Sequence, residues 1–225
     1  MKSTSTLLTG ERVHITVPDA RALPEPVRSA VIVDGGRELE LNAGGPAALD
    51  FYLRSTGSRL SATIDLRTAT LRHGALGGRS TQGRVFALTV GQDRVFGTSG
   101  PRVDLADLAA VLARVRLTPG STGPSATLGR GLTWSARRAP GVAQIVDLAP
   151  GTGFLLDVRR AQGSERAGGP GIPVEGGTLS RSGSQEREPY LVLDAAQVVA
   201  YAIARPGTDL DVVARAMARV RVTLG

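Results

Sequence analysis

The chain has 225 residues, 27 Lys+Arg against 20 Asp+Glu, and a formal net charge of +7. It has no Cys and only two His, which excludes disulfides, thiolate metal sites and cysteine nucleophiles and leaves little material for a zinc site or a His-based triad. At 41% apolar residues it can build a core, and no apolar run approaches the roughly 20 residues that a membrane-spanning helix needs.

The first ten residues carry one basic side chain and no apolar core of a secretory signal. If Met1 is the native start, the expected compartment is the cytoplasm; if the start has been trimmed, it is extracytoplasmic. Residues 12–17 alternate as a strand, and 19–33 are interrupted by Pro24 and Pro26. Residues 47–53 and 59–66 read as a hairpin. Phe86, Leu88 and Val90 alternate with Val85, Ala87 and Thr89, as in a strand covered on both faces, and Gly91-Gln92 turns it into 93–98. Residues 190–194 and 198–204 repeat that hairpin. Helices follow Pro101 and Pro206, with Asp104 and Asp209 placed as caps. Their apolar stripes are Leu105, Leu108, Leu112 and Val115, and Leu210, Val213, Met217 and Val220.

A repeat organises these elements. Residues 104–118 and 209–223 are identical at eight of fifteen positions at an offset of 105, among them Asp104/Asp209, Ala113/Ala218, Arg114/Arg219 and Thr118/Thr223. The offset continues upstream through Pro101/Pro206, Phe96/Tyr201 and Leu88/Leu193. Farther upstream, Ile-Asp-Leu-Arg at 64–67 matches Leu-Asp-Val-Arg at 156–159 at an offset of 92. Asp65 and Asp157 are each followed two residues later, on the same strand face, by Arg67 or Arg159, a pattern that a cross-strand ion pair explains. The expected fold is α+β in two related halves. Each half is a mainly antiparallel sheet closed by a C-terminal helix, and the two are arranged about a pseudo-two-fold axis. Residues 1–119 form the first unit, 120–130 a linker and 131–225 the second unit.

Chemistry is scarce. The only lysine is Lys2, so no P-loop exists, and the Gly-rich stretches at 74–79 and 168–173 read as loops. His14 reads as a structural histidine in a strand, and His73 as exposed in the 72–74 turn. No catalytic residue, cofactor or metal ligand is assigned, and the expectation is a non-enzyme. The arginines are spread along the chain among Asp and Glu, with eight aromatics in all. This argues against the clustered basic face of a nucleic-acid binder.

The stretches Gly-Arg-Val-Phe-Ala-Leu-Thr-Val-Gly-Gln-Asp-Arg-Val-Phe (83–96) and Glu-Pro-Tyr-Leu-Val-Leu-Asp (188–194) resemble the EspG family, the cytosolic secretion-associated chaperones of actinobacterial type VII systems. The likeness covers 47–116 and 177–222, roughly half the chain, and is one of apolar spacing. The long amphipathic helices of that family are missing from 1–46 and 120–150. The resemblance implies a non-catalytic protein that binds the helical hairpin of a secreted substrate, through surfaces for which Arg72, His73, Leu76, Arg79, Ile172 and Val174 are the nearest candidates. Exposed apolar residues beside arginine suit such an interface. A second resemblance is to extracytoplasmic domains of the Mog1/PsbP class, which implies a ligand-sensing or scaffold module of a lipoprotein or membrane regulator. A basic nucleic-acid-binding module is the third reading, and the oligomeric state is left open.

Overall fold

The computed structural model describes residues 1–66, 69–78, 83–101, 103–161, 170–182 and 189–225. It is an α+β protein, mainly antiparallel sheet with three helices among the described residues. The elements run β1 (Lys2–Thr6), β2 (Arg12–Thr16), β3 (Val27–Asp34), β4 (Arg37–Gly44), α1 (Pro46–Ser55), β5 (Ala62–Asp65), β6 (Thr70–Ala75), β7 (Arg84–Val90), β8 (Asp93–Thr98), α2 (Leu105–Leu112) and β9 (Val115–Thr118). There follow β10 (Ser125–Leu128), β11 (Leu132–Trp134), β12 (Gly141–Ala149), β13 (Thr152–Arg160), β14 (Ile172–Val174), β15 (Gly177–Ser182), β16 (Tyr190–Asp194), β17 (Val198–Ala204), α3 (Leu210–Met217) and β18 (Arg221–Leu224).

Two compact units result, and neither is continuous in sequence. Unit 1 comprises Met1–Ser5, Glu11–Pro26 and Gly141–Gly225; unit 2 comprises Thr6–Gly10 and Val27–Pro140. The division expected at 1–119 and 131–225 is one of sequence and does not coincide with these units. The expected linker at 120–130 is also structured in part, because β10 pairs with β9 from Thr118↔Ser125 to Val115↔Leu128.

In unit 2 the strands lie in the order β3-β4-β8-β7-β6-β5, with β11 on β3. One face carries Ile32, Leu41, Phe86, Leu88 and Val95, which form a core with Leu108 and Leu112 of α2. The other face carries Ala87 and Phe96, packed against Leu49 and Tyr52 of α1. Helix α1 replaces the strand expected at 47–53. Pro46 sits in its first turn, where a missing N–H costs nothing. Leu49, Tyr52 and Leu53 then follow a three-four spacing, and only a helix turns that spacing into one apolar face.

In unit 1 the order is β14-β15-β16-β17-β13-β12, and a separate sheet runs β1-β2-β18. Helix α3 packs on β16 and β17, with Val213 and Met217 fully buried. The caps form as their sequences dictate: the Asp104 carboxylate accepts from the Asp107 N–H and the Asp209 carboxylate from the Asp211 N–H. Neither helix closes its unit, however. Val115 begins β9, and β18 follows α3 with Val222 on it, so a strand and not the helix is the last element of each. The two Asp-x-Arg motifs also occupy different places. Asp65 lies on β5, which among the described residues pairs only with β6, whereas Asp157 lies on β13 between β12 and β17.

Candidate partner-binding surface

The candidates fall in both units. Arg72 and His73 lie on β6 of unit 2, in register with Ala87 and Phe86 of β7. Arg72 points outward, but His73 is only 7% exposed, which corrects its expected exposure in a turn. Strand alternation places it on the same side as the fully buried Leu71. Its Nδ1 is buried with no hydrogen-bond partner among the described residues. Burial, then the positive charge of Arg84, holds its pKa below the ordinary imidazole value. Leu76 is half-buried at the start of a single 3-10 turn, Leu76–Gly78. The Gly77 N–H there donates to Ser58 Oγ at 2.9 Å, and Gly77 takes the left-handed φ of 57° that this turn requires. Arg79 and Arg67 lie outside the described residues.

Ile172 and Val174 lie in unit 1 on β14, a three-residue strand paired on the described side only with β15. Pro173 at its centre has no N–H to donate, as suits a sheet edge. Ile172 is 63% exposed. It borders a groove of about 260 Å³ whose other walls include Pro170, Leu179, Leu191, Leu210 and Ala214. His14 is exposed on β2, its Nδ1 3.0 Å from Thr4 Oγ1.

The sequence reading missed a third surface. Register pairing aligns Ile145 of β12 with Leu155 of β13, and Leu155 with Ile203 of β17. All three project from the sheet face opposite α3. Ile145 and Ile203 are 41% and 39% exposed, and Leu155 is half-buried. Tyr201 and Tyr190 flank this row, with ring centroids 6.2 Å apart. Arg159 lies over the Tyr201 ring at 6.0 Å and holds Asp157 at 2.7 Å. No single strand carries the signal of this face, since the row exists only once β12, β13 and β17 are set side by side.

On unit 2, the face opposite α2 is closed by α1. Tyr52 packs on Phe96 with centroids 5.1 Å apart. Its hydroxyl is pushed up to about pKa 12 by burial, against the lowering effect of a hydrogen bond with Thr98 and with the added repulsion of Glu40.

Electrostatically the surface is mixed. In unit 1, Arg205 pairs with Asp147 at 2.8 Å, Arg219 with Asp19 at 2.6 Å, Arg160 with Glu11 at 3.0 Å, and Arg221 with Glu175. In unit 2, Arg114 pairs with Asp34 at 2.6 Å and Arg37 with Asp107. Exposed pairs of this kind contribute about 0–1 kcal/mol each, so their main effect is to intersperse the two signs. Among the described residues, no group of three or more His, Asp or Glu is placed to hold a metal ion, and no helix is long and apolar enough to cross a membrane. No protein-family model, curated protein or solved structure matches this chain.

Proposed function

We propose that the protein is a non-catalytic protein-binding adaptor, of the class that the EspG resemblance implies: a chaperone that holds a helical secretion substrate soluble. The observation that carries this reading is the row Ile145, Leu155 and Ile203, where aliphatic side chains stand side by side and half-exposed on a sheet face. Isolated exposed aliphatics are ordinary, but a contiguous row flanked by aromatics and arginine has the composition of an interface core.

The same reading includes an origin by duplication, and the pairing registers support it. In β7·β8, Phe86 faces Gly97 and Leu88 faces Val95; adding 105 to each number gives Leu191 facing Ala202 and Leu193 facing Ala200 in β16·β17. The equivalents of Asn42↔Phe96 are then Asp157↔Tyr201. Arg116↔Thr127 and Leu117↔Ala126 in β9·β10 likewise correspond to Arg221↔Thr16 and Val222↔Ile15 in β18·β2. On this reading each repeat begins with one strand (β2 or β10), and each first strand completes the sheet that ends the other repeat. That exchange accounts for the discontinuity of both units.

Co-expression with a helical-hairpin secretion substrate tests the adaptor reading. The expected result is a complex that co-purifies in low salt and survives size exclusion; a chain that emerges alone under those conditions contradicts it.

A further inference from the structure

We propose that the occupant of the Ile145–Leu155–Ile203 face is a single amphipathic helix from the partner, seated on unit 1 as α1 is seated on unit 2. The inference rests on the adaptor and duplication reading and names its binding mode. Under the register equivalence, Phe96, Thr98 and Glu40 of unit 2 become Tyr201, Ile203 and Leu155 of unit 1. In unit 2 those three positions are covered by Tyr52 of α1, whose ring packs on Phe96 and whose hydroxyl meets Thr98 beside Glu40. In unit 1 the same three positions carry no covering helix among the described residues, and Ile203 remains 39% exposed. The chain connecting β4 to β5 contains the apolar run that forms α1, a run that the sequence of residues 161–171, between β13 and β14, does not repeat.

The chemistry of the seat differs from its counterpart in one respect that sets specificity. Thr98 gives the Tyr52 hydroxyl a hydrogen-bond partner, whereas its counterpart Ile203, beside Leu155, gives none. A hydroxyl aimed there would be desolvated without compensation. The partner helix is therefore selected for Phe or Leu at the position where α1 has Tyr52. Main-chain augmentation is not available on this face, because β12, β13 and β17 already pair with their neighbours. A helix that lays its apolar stripe across the strands is the remaining recognition mode.

The test uses the full chain with isotopically labelled Ile and Leu methyls and two synthetic peptides spanning residues 44–58, one with the native Tyr52 and one carrying Tyr52→Phe. The expected result is saturable shift changes at Ile145, Leu155 and Ile203, with the Phe peptide the tighter binder by at least threefold. Ile203→Asp should weaken it at least tenfold; the residue is half-exposed, so the fold should tolerate the change, and Ile145→Asp gives an independent second variant. The double variant Leu155→Glu/Ile203→Thr, which installs the unit 2 residues, should reverse the preference toward the Tyr peptide. The proposal is overturned by the absence of saturable changes, by changes confined to the β14–α3 groove, by a preference that the double variant leaves unaltered, or by self-association that occupies this face in sedimentation. The co-purification assay reads partner capture whichever surface is used. A partner retained equally by wild type and Ile203→Asp therefore overturns the helix seat and leaves the adaptor reading standing.

Discussion

Two buried polar residues of unit 2 show what single side chains contribute. Arg28 is 4% exposed on β3. Its guanidinium donates to the Thr122 carbonyl at 2.8 Å and lies 3.8 Å from the Asp93 carboxylate, so it ties the 119–124 loop to the sheet. Arg28→Ala leaves the Asp93 carboxylate without its buried counter-charge and should cost about 2–4 kcal/mol in denaturant unfolding, while Arg28→Met, which fills the space, should cost less. His73 gives a pH signature. With its folded pKa below the ordinary value of about 6.5, the unfolded chain takes up a proton first as pH falls through that value. Stability is then lost on acidification below about pH 6.5, and the imidazole has no effect where it is neutral in both states. Thermal melts from pH 7.5 to 5 should show this fall, and His73→Gln should flatten it. Sequence alone could not place this residue, because Arg-His-Gly reads as a turn until β7 pairs beside it.

Among the elements, those legible in the sequence were the ones whose signals were local: the β7·β8 and β16·β17 hairpins, and the two helices started by Asp104 and Asp209. Asp104→Ala and Asp209→Ala should each cost about 1 kcal/mol by removing an N-terminal acceptor. The element that was misread, α1, has the strand-favouring Phe51 and Tyr52 at its middle and no side-chain cap to mark its start. Its identity is settled by the sheet face it covers, with Leu49 and Tyr52 meeting Ala87 and Phe96. The Asp-x-Arg match at 65 and 157 misled for the converse reason, since a four-residue likeness carries no information on which neighbours a strand will have. Close strand packing leaves its own mark at Gly97. A Cβ there would stand 1.8 Å from the Glu40 carbonyl oxygen, so Gly97→Ala should destabilise unit 2 by about 2–4 kcal/mol, read as a lowered midpoint in urea. The face proposed for binding stayed illegible because it joins the β12·β13 hairpin to β17, some forty residues further on, and only the pairing register brings Ile203 beside Leu155.

At the scale of the whole molecule, unit 1 takes β2 from the start of the chain and β18 from its end. A protease site inserted within 119–124 and cut in the folded protein should therefore yield two fragments that co-elute in native size exclusion and separate only in denaturant. For the same reason a fragment ending at residue 120 should melt without cooperativity, since it lacks β18, which completes the sheet of β1 and β2, and β10, which pairs with β9. Ion pairs intersperse the two signs among the described residues, so the +7 net charge makes no single-signed face there, and on the proposed reading partner choice falls to the apolar row. Hydroxyl-radical footprinting of the full chain with and without a co-purified helical-hairpin substrate tests that assignment most directly. The account predicts that Ile145, Leu155 and Ile203 lose reactivity in the complex while Ile172 keeps its own; protection of Ile172 with the row left reactive would contradict it.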